Sequence, residues 1–251
     1  MIIDAHAHIS ATTYGSIEIY LSQLKEAGIE GGVAVPGGTV DVRNMTDYIT
    51  GRAKPENLIP DNHYVEESCR VHPNLWGFAC VDPHSQDAVE VLEKSFKQGF
   101  RGLKLSPLTH QFSFAGKAVA SLAVCCGEHG FPVYSHVVFS PGASTARFVA
   151  LARQYPKTNF ILGHMGFGPA DREGLEAAAE LDNLFLETST GSFLHIKEAV
   201  KRTGAGKVIF GSEFPLSHPA VELKKILLLD LPDGDKEKIL AGNTRALLRL
   251  T

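Results

Sequence analysis

MIIDAHAHIS, residues 1–10, places two histidines one residue apart inside an apolar run. In an extended segment successive side chains point to opposite faces, so positions i and i+2 share a side. That alternation predicts Asp4, His6 and His8 on one face and Ile3, Ala5 and Ala7 on the other. Two imidazoles side by side at a strand end can chelate a metal. Whether they do depends on what the rest of the chain brings to them.

Short apolar runs bounded by Gly or Pro recur outward from this one. After residues 2–9 they are GVAVPG (32–37), LWGFACVD (75–82), RGLKLS (101–106), PVYSHV (132–137), NFILGHM (159–165), LFLETS (184–189) and KVIFGSE (207–213). Most are continuously apolar, as parallel strands covered on both faces are. Amphipathic stretches fill the gaps at 16–28, 61–72, 85–99, 116–129, 144–155, 170–181, 192–203 and 217–229, with a helical tail over 235–249. Eight strand-plus-helix units in 251 residues predict a single-domain α/β fold, the (β/α)₈ TIM barrel, over 1–251. One connection is long and polar, GGTVDVRNMTDYITGRAKPENLIP at 37–60. It reads as a lid or substrate loop, the alternative being a disordered surface loop.

Composition narrows the function classes. Acidic and basic residues are interspersed and the net charge is −4, which speaks against a nucleic-acid partner. The first residues hold Asp4, His6 and His8, unlike a signal peptide, and no apolar run suits a bilayer. Cys69, Cys80, Cys125 and Cys126 lack CxxC spacing and read as reduced thiols of a cytoplasmic protein. A small-molecule substrate and no membrane partner are expected; a homo-oligomer is compatible with the sequence.

Polar residues then fall at strand ends. His6 and His8 end the first, Lys104 lies in the fourth, His136 ends the fifth and His164 the sixth; Glu187 and Glu213 end the seventh and eighth. In such barrels the C-terminal strand ends form one catalytic mouth. Imidazole and carboxylate suit a divalent ion, which lowers the pKa of water toward ~7, with a neighbouring base to move protons.

DAHAHI, GLKLSP, YSHV, LGHMG, FLETS, FGSEFP and LAGNTRALLRL, in barrel order, resemble the amidohydrolase superfamily. The nearest branch is the amidohydrolase-2 group, which includes aminocarboxymuconate-semialdehyde decarboxylase-like enzymes. The resemblance implies His6, His8 and His136 as metal ligands. It implies His164 as a ligand in two-metal members, or in one-metal members as a residue polarising substrate or water. It implies the carboxylate of strand eight as ligand and general base. The chain departs from the pattern there, carrying Glu213 where the family has Asp; the extra methylene shifts the carboxylate by ~1.5 Å. Lys104 is read either as a carboxylated metal bridge or as an ion-pair partner of Glu187 or Glu213. Asp4 and Glu187 are read as supports behind the ligands. The ion expected is Zn²⁺, one or two, with Mn²⁺, Fe²⁺ or Ni²⁺ as alternatives. Arg43, Arg52 and His110 are candidate substrate contacts, the arginines as carboxylate clamps. Hydrolysis of an amide, lactone or ester by metal-activated water is the leading function; non-oxidative decarboxylation of a small carboxylic acid at the same site is the alternative.

Overall fold

The computed structural model describes residues 1–168 and 170–250. Its strands are β1 (Ile3–Ile9), β2 (Gly31–Pro36), β3 (Leu75–Gly77), β4 (Ala79–Cys80), β5 (Leu103–Leu105), β6 (Val133–Ser135), β7 (Phe160–Leu162), β8 (Leu184–Glu187) and β9 (Val208–Ile209). Every pairing is parallel, in the orders β1-β2-β3 and β4 through β9. β3 and β4 are one barrel stave interrupted at Phe78, whose amide bonds the Ala34 carbonyl at 3.0 Å. The ring closes between first and last staves: Ala5 N to Phe210 O at 2.9 Å, Glu213 N to His6 O at 2.9 Å and His8 N to Phe214 O at 2.7 Å. This is the TIM barrel that the eightfold repeat predicts.

Alternation along each stave sorts two cores. Ala5, Val33, Val35, Phe78, Tyr134, Ile161 and Ile209 pack inside the barrel, stoppered by Leu247 and Leu248 of the last helix, Asn243–Leu248. Their neighbours Ala34, Val133, Phe160, Leu162 and Val208 face the helices. The helices lie close to expectation; Ile17–Ala27, for example, starts where Ser16 Oγ accepts the Ile19 amide and stops at Gly28, φ 69°. The tail divides into Asp233–Glu237, a π-helical turn over Lys238–Gly242, and the last helix. The 37–60 connection contains a 3₁₀ turn, Val42–Asn44, and a short helix, Met45–Ile49.

Two expectations change. β1 does not alternate strictly: its register shifts between Asp4 and Ala7, so Ala5 packs inside the barrel while Ala7 faces the helices. Asp4 is thereby separated from His6 and His8. The sixth and eighth staves are also shorter than their apolar runs. His164, Met165 and Glu213 adopt φ of 59°, 57° and 58°, which ends the extended backbone before each site residue.

Candidate metal centre

His6, His8 and Glu213 each bring one donor atom to within 4.8 Å of the others at the barrel mouth. Second partners decide which imidazole nitrogen keeps its lone pair. The single proton of Tyr134 Oη goes to Glu187 Oε2 at 2.7 Å, so Tyr134 Oη accepts from His6 Nδ1–H at 2.8 Å. His6 Nε2 is then unprotonated and accepts from Lys104 Nζ at 3.2 Å. His8 Nδ1–H donates to the Pro36 carbonyl at 3.2 Å, leaving Nε2, 3.6 Å from Glu213 Oε1. His164 Nδ1–H donates to Ser189 Oγ (2.9 Å) and its carbonyl (3.2 Å), leaving Nε2, 3.8 Å from Glu213 Oε2. His136 Nδ1 accepts from Lys104 Nζ at 3.3 Å.

Among the described residues, then, His6, His8 and Glu213 meet as one donor group, and His136 and His164 stand beside it rather than in it. Lys104 links His136 to the cluster, standing between it and His6. The ion pair expected of Lys104 with Glu187 or Glu213 does not form within 4.0 Å among the described residues; the ammonium instead bonds two imidazoles and lies 4.2 Å over the Tyr134 ring. Glu213 Oε2 is buried and accepts no hydrogen bond among the described residues, although His6 Nδ1 approaches to 2.6 Å off the N–H axis. An anionic oxygen left unsatisfied beside convergent lone pairs suits a divalent cation.

Glu187 is fully buried behind this cluster and accepts from Tyr134 Oη, Ser189 N, Ser189 Oγ and His164 N. Asp4, outside the barrel wall, accepts from Tyr20 Oη (2.9 Å), His6 N (3.2 Å), Ser212 N (2.8 Å) and Ser212 Oγ (2.6 Å). It ties the backbone beside His6 to that beside Glu213. Tyr134, Ser189 and Ser212 lie inside the motifs YSHV, FLETS and FGSEFP without drawing a role there, and Tyr20 lies outside every motif. Tyr134 has a further signal, standing two residues before His136 and hence on the same strand face. Gly211 makes room for Glu187, since a Cβ there would collide with its carboxylate.

Burial makes three of these imidazoles poor bases: it lowers His6 and His136 well below the ordinary histidine range and His8 to about 4. Neutral imidazole is the metal-binding form. Burial lowers Lys104 to about 8, with Glu213 opposing. Burial alone would raise Glu213, but His6, His8 and His164 outweigh it and hold the carboxyl well below the usual range. Burial raises Asp4 to about 7 against its four hydrogen bonds.

A cavity of about 820 Å³ opens over these groups. The 37–60 connection supplies much of one wall, including Val40, Val42, Met45 and Tyr48. Arg43 and Arg52 do not line it. Their guanidiniums are taken by Asp41 and Asp47 of the same loop, at 2.7 and 2.8 Å, so neither forms the expected clamp. His110 does line it, with Nε2 bonded to the Leu58 carbonyl at 2.9 Å. His195 is buried in the helix Phe193–Thr203.

An amidohydrolase family model matches residues 3–250. No curated protein matches the sequence. Among solved structures, a TIM-barrel protein from Bordetella bronchiseptica superposes with a TM-score of 0.79 at 17% identity, covering 99% of this chain and 98% of that one. A dihydroxybenzoic acid decarboxylase from Polaromonas sp. JS666, with bound manganese and the inhibitor 2-nitroresorcinol, gives 0.74 at 16% identity, with 99% and 97% covered. A putative 2-pyrone-4,6-dicarboxylic acid hydrolase from Pseudomonas putida gives 0.70 at 19% identity, again with 99% and 97% covered. At these identities the likeness is one of fold. No helix among the described residues is long and apolar enough to cross a membrane.

Proposed function

Because this chain belongs to the amidohydrolase family, we propose that it is a metal-dependent hydrolase of a small molecule carrying an amide, lactone or ester bond. The observation that carries the reading is His164, whose Nδ1 proton is held by Ser189 while its Nε2 lone pair faces Glu213 across 3.8 Å at the cavity floor. A base with a fixed tautomer beside a carboxylate is what proton removal from water requires. His6, His8 and Glu213 would hold the ion, with His136 as a further ligand once the Lys104 ammonium that bonds His6 Nε2 and His136 Nδ1 is displaced. Zn²⁺ is preferred for such a nitrogen and oxygen set, with Mn²⁺, Fe²⁺ or Ni²⁺ accepted by the same donors. Bound there, the ion supplies Lewis acidity, polarising the scissile carbonyl and acidifying water.

His164 Nε2 takes a proton from water as its oxygen bonds the carbonyl carbon. It then gives that proton to the departing nitrogen or oxygen as the scissile bond breaks. Ser189 holds the His164 ring through both states, and Glu187 holds Ser189 and Tyr134. The 37–60 connection acts as the substrate lid.

The reading is tested with a library of amides, lactones, esters and carboxylic acids in ¹⁸O-labelled water, with metal restored to metal-free protein. Label in a product carboxylate, lost with the metal and lowered ~10²–10⁴-fold by His164→Gln, is expected. Carbon dioxide released with no label incorporated would overturn hydrolysis in favour of decarboxylation.

A further inference from the structure

Two phenylalanines stand at matching places beyond the site, each three residues past a site histidine: Phe139 after His136 and Phe167 after His164. Both line the cavity, and their rings lie 5.9 Å apart at 36°. Phe139 is 91% exposed and Phe167 is 42% exposed. Paired rings left in water at a cavity mouth are apolar surface awaiting a partner. The lid wall adds Val40, Val42, Met45 and Ile49.

Charge points the same way. Besides Lys104 and Glu213 in the cluster, the only Lys, Arg, Asp or Glu among the described lining residues is Lys54, because Arg43 and Arg52 are spent on Asp41 and Asp47. The walls beyond the cluster therefore offer a substrate apolar contact, neutral hydroxyls and amides such as Thr39, Gln111 and Ser140, and a single cation. A volume of about 820 Å³ sits in the upper part of the ~300–1,000 Å³ range of drug-sized ligand sites.

We infer that the substrate carries an extended apolar group, longer than one aromatic ring, whose far end packs against Phe139 and Phe167 while the reacting bond lies over His164 and Glu213. The inference rests on the hydrolase reading for where the reacting bond lies, and adds the class of molecule attached to it.

Calorimetric titration of metal-loaded protein with benzoate and with biphenyl-4-carboxylate tests it, in wild type, Phe139→Ala and Phe167→Ala. The biphenyl acid is expected to bind about tenfold tighter or better, for roughly one further ring buried. Each alanine variant should remove a threefold or larger part of that advantage and leave benzoate unchanged. Equal affinities for the two acids, binding of neither, or an equal loss for both in the variants overturns the inference. Its failure is separable from that of the hydrolase reading: carbon dioxide release without labelled product would sink the reaction type while leaving a preference for the longer acid intact.

Discussion

Replacing Tyr134 by Phe removes one oxygen and keeps the ring that stacks on His6 at 4.1 Å, so no cavity follows and the hydroxyl alone is tested. That hydroxyl donates to Glu187 at 2.7 Å and accepts from His6 Nδ1 at 2.8 Å, both in full burial. Glu187 falls from four donors to three; one charge-assisted bond lost inside a protein costs ~1.5–3 kcal/mol. His6 Nδ1 recovers part of its loss, because Glu213 Oε2 is already 2.6 Å away and needs only to align. The unfolding free energy should therefore fall by ~2 kcal/mol. The larger consequence is at the ion. With Nδ1–H turned to Glu213, a ligand carboxylate is consumed and the His6 ring is no longer oriented from behind. Loss of such a partner weakens metal affinity ~10–100-fold, or ~1.4–2.7 kcal/mol. Chelator competition measures the affinity and urea unfolding the stability. A variant that binds metal within twofold of wild type, with an unmoved unfolding midpoint, would show that Tyr134 does not set the His6 tautomer.

Glu213→Asp should preserve or raise turnover of a hydrolysed substrate if the carboxylate acts at the ion; lost turnover with metal content unchanged would show that the longer side chain is needed. Gly211→Ala drives a methyl into the Glu187 carboxylate and should cost ~1–3 kcal/mol by overpacking, read as a lowered urea midpoint. Metal-free protein should lose stability as pH falls from about 6.5 toward 4. His8 resists protonation in the fold, being lowered to about 4, but accepts a proton when unfolded. The full interval amounts to ~3 kcal/mol, and His8→Gln should flatten that part of the stability curve against pH.

The barrel is written in local signals. Apolar runs closed by Gly or Pro, and helices opened by Ser16, Ser144 and Ser192, are decided within a few residues, so their order survives reading by eye. The strand-end residues His6, His8, His136 and Glu187 follow from the same bookkeeping. What fails is whatever depends on an irregularity or a distant partner. The shifted register in β1 carries no residue signature, so Asp4 is assigned to the wrong face. The reach of Arg43 and Arg52 is decided by carboxylates in their own loop, two and five residues away. Lys104 meets two imidazoles, and the Glu187 carboxylate expected to pair with it is taken instead by Tyr134, Ser189 and the His164 amide. Left-handed backbone at His164 and Glu213 belongs to residues whose types do not ask for it, and such strain gathers at functional sites.

Anomalous scattering from a crystal of metal-loaded protein, collected at the absorption edge of the loaded ion, bears most directly on the central claim. A peak ~2.0–2.2 Å from His6 Nε2 and His8 Nε2, absent from crystals of His6→Ala and His8→Ala protein, is the predicted result. A mouth without scattering, or an ion bound equally well when both histidines are gone, would contradict it.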